Sequence, residues 1–367
     1  MTIAITGPDG FIAWHTRAFL KATTGEDAIH IGRAEFADPV LMDGALTQAT
    51  SVIHLAGVNR STSDDEIRTV NPQLAMLLVE SLERTGHSIP VVYGNSIHSL
   101  GDTIFGQAKL EAANILKAWG ERAGAPIVDV VLPNIFGEYG TPQYNSVVAT
   151  FCHQLANDEE PTLNGDSVIP LLHVQDAAEL LVAQTSATSS TTVTPQGRST
   201  ALTELLELLK GFKEIYVDGS VPNMSDSFIR NLFNTYRSYT FPNQWPKFPK
   251  VNSDDRGDLF ETAKAAGGES QVFFSTTKPG YTRGQHYHLR KFERFIVLRG
   301  TGVIRLRKLF SDEVVEFPMS GEKPAMVDMP TMWMHSIENT GTDELITLFY
   351  ADELYDPENP DTYWEDV

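Results

Sequence analysis

The chain has 367 residues, 41% of them apolar, with 28 Lys+Arg against 48 Asp+Glu and a formal charge of -20; this length suits two or three domains with substantial cores. An acidic surface repels phosphate backbones and anionic lipid heads, which argues against nonspecific nucleic-acid or membrane-surface binding but not against a phosphate-bearing small ligand held by a local loop. With one cysteine (Cys152), no stretch near the roughly 20 apolar residues of a bilayer span and no secretory pattern at Met1–Gly7, the expectation is a cytoplasmic protein without membrane or nucleic-acid partners.

Ile3–Thr6 reads as a strand, followed by a glycine-bearing turn and a helix through Lys21. Ala28–Ile31, Ser51–Leu55, Pro90–Tyr93 and Pro126–Val131 read as further strands, with helical patterns between them at Asn71–Arg84 and Gly106–Arg122. Strands alternating with helices imply parallel pairing and right-handed crossovers, hence a Rossmann-like, doubly wound parallel sheet. Thr185–Thr194 is a Ser/Thr-rich connection, with or without an edge strand. Short amphipathic helices follow at Thr203–Phe212 and Ser225–Tyr236. Tyr239–Val251, with three prolines and four aromatics, reads as a linker that packs. From Asp254 onward short strands alternate with Gly and Pro turns: Gln271–Ser275, Glu293–Leu298, Gly302–Leu306, Glu313–Phe317, Ala325–Met329 and Glu344–Tyr350. That spacing predicts an all-β barrel or jelly roll. The expected domains are 1–245 and 246–367, and the acidic tail Asp352–Val367 is expected to be solvated.

Gly7-Pro-Asp-Gly10-Phe-Ile-Ala13 leaves the first strand and opens the first helix. Glycines there permit a tight turn and close approach of backbone amides to a pyrophosphate at a helix N-terminus. Alone, the string is also compatible with an ordinary surface turn. In chain order there follow His54-Leu-Ala-Gly57, Asn71, Ser96, Lys109 thirteen residues later, Pro133-Asn134-Ile-Phe-Gly137 and Leu172-His173-Val174-Gln-Asp176. Over about residues 1–185 this set resembles the extended short-chain dehydrogenase/reductase family, whose members act on nucleotide sugars. The resemblance implies a cofactor cradle of Gly7, Gly10, Phe11, Ile12, Leu55, Ala56, Gly57 and Asn71, substrate contacts from Asn134 and Asn145, and a catalytic group of Ser, Tyr and Lys. Here Ser96 and Lys109 match that group, but Phe105 stands at the tyrosine position and carries no hydroxyl to donate. Ser96 read alone is equally a capping serine. Ala13 for the third glycine and the missing Arg before Pro133 are lesser departures. Gly32-Arg33 stands where NAD-binding chains carry an acidic residue, and arginine can pair with a 2′-phosphate, so NADPH is favoured. Glu35 nearby, or an Arg33 that is simply exposed, is the competing reading.

Within Gly280–Gly300, His286 and His288 alternate on one strand and so face the same way. Glu293 opens the next strand, and Pro330–Asn339 adds His335. Three imidazoles and one carboxylate suit a divalent first-row metal such as zinc. The segments resemble the two cupin motifs, with Met332 where glycine is usual. Asp254-Asp255-Arg256-Gly257 resembles deoxysugar 3,5-epimerases of the cupin class, in which the arginine meets nucleotide phosphates; an ordinary charged turn fits the string as well.

A reductase domain followed by a cupin, together with His54–Arg60, Tyr144–Cys152 and Asp361–Tyr363, resembles the bifunctional UDP-2-acetamido-2,6-dideoxy-hexulose reductase/epimerase family of capsule and O-antigen biosynthesis. That resemblance implies NADPH, one divalent metal, a UDP-linked 4-keto-6-deoxy amino sugar and a homodimer. Three readings compete: a working epimerase and reductase, a cupin epimerase whose first domain does not reduce, and a sugar-nucleotide-binding scaffold. Whether the metal is catalytic or structural is open at this stage.

Overall fold

The computed structural model describes residues 2–163, 165–217, 219–248, 252–254, 257–259, 270–353 and 356–367. They form two compact units, residues 1–150 with 165–202, and 151–164 with 203–367.

Through residue 201 the elements run β1 (Ile3–Thr6), α1 (Phe11–Thr24), β2 (Ile29–Ile31), α2 (Arg33–Ala37), α3 (Pro39–Thr47), β3 (Ser51–His54), α4 (Asp64–Thr85), β4 (Val91–Ser96), α5 (Ile104–Ala123), β5 (Ile127–Leu132), β6 (Asn134–Phe136), α6 (Val147–Ala156), β7 (Val168–His173), α7 (Val174–Ala183), β8 (Thr191–Val193) and β9 (Arg198–Ala201), all in the first unit except the part of α6 from Phe151 onward. Six strands form one sheet in the order β2-β1-β3-β4-β5-β8, and every pair is parallel. Alternate residues face opposite sides, so Ala4, Val52, Val91 and Ile127 pack under α4 and α5 on one face. Ile3, Ile5, Ile53, Val92 and Val128 pack with Ala13, Leu20, Ala177 and Leu181 on the other. This is the expected doubly wound sheet, and Thr191–Val193 is indeed its edge strand. Because β2 and β3 lie on opposite sides of β1, a crevice opens at the carboxyl ends of β1 and β3, the usual ligand position in such sheets.

The helix expected to begin at Asn71 starts at Asp64. Ser63 caps it by accepting the Glu66 N–H, and Asp64, Asp65 and Glu66 complement the helix dipole in its first turn. Asn71 is therefore about two turns inside α4. Pro72, a residue more usual in a first turn, occupies the helix interior.

The second unit continues with α8 (Leu202–Tyr216), α9 (Ser227–Thr240), a short antiparallel pair β10 (Asn252–Asp254) and β11 (Gly257–Leu259), and then β12 (Gln271–Thr277), β13 (Thr282–Tyr287), β14 (Glu293–Arg299), β15 (Thr301–Lys308), β16 (Val314–Ser320), β17 (Met326–Met329), β18 (Trp333–Asn339), β19 (Leu345–Ala351) and β20 (Tyr363–Trp364). Two antiparallel sheets, β12-β19-β14-β17 and β16-β15-β18-β13-β20, enclose a core that includes Phe295, Ile304, Leu306, Val327, Ile337 and Phe349. This is the double-sheet, jelly-roll arrangement expected of a cupin.

Two features depart from expectation. Residues 203–240 pack with the barrel, so the compact units part at 202/203, whereas the sequence reading drew its boundary at 245/246. A buried ionic knot accounts for the packing. Asp328 on β17 receives Arg294 Nε at 2.7 Å, Arg237 of α9 at 3.4 Å and the hydroxyl of Tyr216 from α8, while the Arg237 guanidinium lies 3.8 Å from the Phe292 ring centre. The second departure is the acidic tail. Rather than being wholly solvated, it returns to the barrel as β20 and buries Asp361 to 2% exposure.

Asp328→Ala should leave two buried guanidinium groups without their carboxylate and destabilise the barrel unit by about 3–5 kcal/mol. Urea unfolding followed by tryptophan fluorescence measures this. A loss below about 1 kcal/mol would show the knot to be incidental.

Candidate functional site

The first candidate site is built at the carboxyl ends of β1, β3 and β4. Gly7 has φ +65°, and a Cβ there would come within 2.9 Å of Ala56 Cα, so the turn that lets the chain pass the β3 exit requires glycine. Gly10 caps α1 without a side chain, leaving first-turn amides aimed outward beyond Phe11 and Ile12. Thr6 organises the opposite wall: its hydroxyl accepts the N–H groups of Leu55 and Ala56 at 3.0 and 2.9 Å. With both acceptor positions used, its proton goes to His54 Nδ1 at 2.8 Å. Burial, with Lys109 adding to it, lowers His54 to about 3 and keeps that ring neutral. Asn71 ties the same loop down, accepting from Val58 N–H and donating to Val58 C=O. A Cβ on Gly57 would meet Asn71 Oδ1 at 2.3 Å. Asn71 thus braces the cradle from inside α4, and the glycine spacing and exposed amides fit a dinucleotide pyrophosphate.

Lys109 lies one turn beyond Phe105 on α5, so the two share a face. Its ammonium donates to Gly94 C=O at 2.5 Å and sits 4.4 Å from the Tyr93 ring centre. Burial lowers it to about 8, against a smaller upward pull from Asp129. Ser96 is the last residue of β4, and its Oγ accepts the His98 N–H at 3.3 Å. The capping role is therefore real, and it places Ser96 at the same strand end as the cradle. Phe105 is half-buried at the head of α5, its ring edge-on to His98 with centroids 6.2 Å apart. His98 is exposed and was not singled out from the sequence, since a lone histidine in a loop carries no spacing signal.

Arg33 begins α2 and is exposed, whereas Glu35 is occupied, its carboxylate accepting the Gly32 N–H at 2.7 Å. Asn134 donates to Pro170 C=O at 3.3 Å, and Asn145 is exposed in the turn before α6. Arg256 lies outside the described residues. The sequence reading also missed a buried brace behind α1: His15 Nε2 donates to Glu138 C=O at 2.9 Å, and His173 Nε2 meets the Glu138 carboxylate at 3.2 Å. These residues join two of the motifs noted above to the cradle helix.

The second candidate site lies inside the barrel. His286 pairs directly opposite His335 across β13 and β18, so both rings project to one face. A register shift at Gln285, with φ +66°, bends the strand just ahead of them. Glu293 arrives from the facing sheet. One ligand atom from each of His286, His288, Glu293 and His335 lies within 4.8 Å of the others. His335 Nε2 is 3.5 Å, and His288 Nε2 3.7 Å, from Glu293 Oε2. His288 Nε2 is buried and makes no hydrogen bond, a costly arrangement that a metal ion would relieve, and His286 presents Nε2 to His335 Nε2 at 3.2 Å. Burial lowers His286 to about 3, and the other two imidazoles add to the shift. Burial would raise the Glu293 carboxyl, but the neighbouring His288 and His335 rings hold it well below its usual value. A neutral His286 and an ionised Glu293 are protonation states a divalent cation needs, so the residues fit such an ion. Met332, which replaces the usual glycine, takes φ +62°, the conformation glycine favours, and its N–H donates to His288 C=O at 2.7 Å.

Residues 3–192 match the NAD dependent epimerase/dehydratase family, and residues 252–363 match the polysaccharide biosynthesis C-terminal domain. The chain is 32% identical, over 99% of its length and 98% of the relative's, to UDP-2-acetamido-2,6-beta-L-arabino-hexul-4-ose reductase of Pseudomonas aeruginosa. The crystal structure of the capsular polysaccharide assembling protein CapF from Staphylococcus aureus superposes with a TM-score of 0.64 at 33% identity, each chain covered completely. UDP-N-acetylglucosamine 4-epimerase from Bacillus cereus, at 17% identity and a TM-score of 0.51, covers 58% of this chain and shows the fold alone. Among the described residues no helix is long and apolar enough to cross a membrane.

Protein purified without a histidine tag should carry about one divalent ion per chain, and His335→Ala should lose it. Stripping the ion with a chelator should lower the thermal midpoint, because ligand binding to the folded state is folding energy. A metal content near zero in untreated protein would contradict the ligand assignment.

Proposed function

For a chain that belongs to the NAD dependent epimerase/dehydratase family, and over its whole length to the family of the 4-ulose reductase just described, we propose a bifunctional nucleotide-sugar enzyme. It epimerises C3 of a UDP-4-keto-2-acetamido-2,6-dideoxyhexose in the barrel and then reduces C4 with NADPH in the first unit. The functional division falls near 245/246. The observation that carries this reading is one chain holding both a glycine-built pyrophosphate cradle beside Lys109 and a converging cluster of three histidines and a glutamate.

The order follows from carbon acidity. The hydrogen on C3 is acidic only while C4 is a ketone, because the carbanion delocalises onto the ketone oxygen. Reduction removes that acidity, so exchange at C3 comes first. A divalent cation held by His286, His288, Glu293 and His335 would supply Lewis acidity at this step. NADPH, when bound, supplies the hydride for C4. Gly7, Gly10 and the α1 N-terminus hold the pyrophosphate, and Leu55, Ala56 and Gly57 wall the cofactor on its other side. Asn134, Asn145 and Arg256 are proposed to meet the substrate. Arg33, exposed and with no carboxylate engaging it among the described residues, is proposed to pair with a 2′-phosphate, and the engagement of Glu35 in its own helix cap supports this.

Phe105 makes reduction the weaker half. Lys109 keeps its place, but a phenyl ring donates no proton to the C4 oxygen, and loss of a general acid costs about 10²–10⁴ in rate. This same residue favours a second reading, an epimerase whose first unit binds cofactor without efficient reduction. Phe105→Tyr should raise NADPH oxidation in the presence of the 4-keto substrate by about 10²–10⁴ and leave C3 hydrogen exchange nearly unchanged. Fast oxidation by the parent protein with no gain from tyrosine would show that another group, with Ser96 and His98 first to be tested, protonates the sugar.

Calorimetry at one ionic strength should find NADPH bound more tightly than NADH, and Arg33→Asp should reverse the preference. Equal affinities in the parent protein would refute the role given to Arg33.

A further inference from the structure

We propose that Asp361 is a positioning residue of the barrel site. It fixes His288 in the tautomer that leaves Nε2 to a divalent cation, and it holds the turn between His288 and Glu293. The inference rests on the metal reading above but concerns a residue outside the ligand set.

Asp361 is buried, takes φ +44° and uses both its carboxylate and its backbone carbonyl. One carboxylate oxygen accepts the Leu289 N–H at 3.1 Å, and the other accepts those of Arg290 and Lys291 at 3.0 and 2.8 Å. Three consecutive amides thus converge on one anion. They belong to the segment that leaves His288 and leads through Phe292 into Glu293, so the anion sets the separation of two ligands. The Asp361 carbonyl lies 2.5 Å from His288 Nδ1. A carbonyl oxygen only accepts, so Nδ1 must carry the hydrogen and Nε2 must present its lone pair. That nitrogen is the buried one without a hydrogen bond, and it faces Glu293.

The register delivers Asp361 to this point. Two residues later Tyr363 pairs with Tyr287, and Trp364 pairs with His286, so the returning strand is hydrogen-bonded to the strand that bears the ligands. Beyond it, Glu365 N–H donates to Gln285 C=O at 3.0 Å, and Arg307 grips the Asp366 carbonyl at 2.7 Å. The acidic tail is therefore an outer wall of the site, and Asp361 is where it touches a ligand. Groups hydrogen-bonded to the far nitrogen of a ligating histidine commonly set its tautomer and orientation.

The test uses the full chain, stripped of metal and titrated with zinc against a chromophoric chelator, with nitrogen-15 spectra of the His288 ring recorded in the metal-free protein. Parent protein should show the Nδ1–H tautomer and bind one zinc. Asp361→Ala and Asp361→Gly keep the backbone carbonyl but lose the carboxylate that anchors it against the Leu289, Arg290 and Lys291 amides; the freed carbonyl should leave His288 a mixture of tautomers and weaken zinc by about 10–100-fold. Asp361→Asn, which keeps an acceptor oxygen and suits the backbone conformation, should lose less. If Asp361→Ala fails to fold, Asp361→Gly, which accepts a positive φ, carries the comparison. Unchanged zinc affinity and an unchanged tautomer in the glycine variant would overturn the proposal, even if its melting temperature fell. Should the parent bind no zinc, the metal reading fails, and the tautomer in the metal-free proteins still decides the role of Asp361.

Discussion

Three imidazoles and a carboxylate held within one small volume of an apolar barrel impose the constraint on which the second unit depends. One of their ring nitrogens, His288 Nε2, is buried and makes no hydrogen bond, a cost that a bound cation would offset. The surrounding structure keeps the four groups together. His286 and His335 are cross-strand partners, a bend at Gln285 sets their approach, and Asp361 pins the far nitrogen of His288 and the turn leading to Glu293. Asp328 does comparable work outside the barrel, drawing Arg294, Arg237 and Tyr216 together so that α8 and α9 stay against β14 and β17.

The first unit is built on a different principle. Its site is mostly backbone: a glycine turn, a helix N-terminus and a loop whose amides are gathered by the Thr6 hydroxyl. Side chains contribute at one point, where Lys109 is buried beside Gly94 and Tyr93, one helical turn beyond Phe105, proposed to stand where an acid would. A backbone cradle survives side-chain change, whereas proton transfer does not. Cofactor binding and reduction can therefore separate on this chain, and the carbon-acid chemistry proposed for the barrel depends on neither.

Much of this was legible in the sequence because it rests on short-range periodicity. Alternating β-strand residues, the Gly7–Gly10 turn and the two-residue spacing of His286 and His288 each state a local geometry that the fold retains. Features that depend on tertiary pairing were not legible. Asp361 lies in an acidic segment that looks solvated, and only the return of β20 to β13 reveals that its charge is used. The helices at 203–240 looked like an appendage of the first domain because nothing local announces that Arg237 and Tyr216 will meet Asp328. The helix expected from Asn71 begins two turns earlier, at the Ser63 cap. The proximity of His98 to Phe105 arises from a short turn after β4 folding back on the head of α5, a contact that no spacing rule encodes.

The central claim is that C3 exchange belongs to the barrel and precedes hydride transfer. The most direct measurement incubates the protein with the UDP-linked 4-keto sugar in heavy water, with no nicotinamide present, and reads deuterium at C3 by mass spectrometry and proton NMR. The account predicts one deuteron at C3 in parent protein and its loss in His335→Ala. Exchange that requires NADPH, or that persists at the parent rate in His335→Ala, would contradict it.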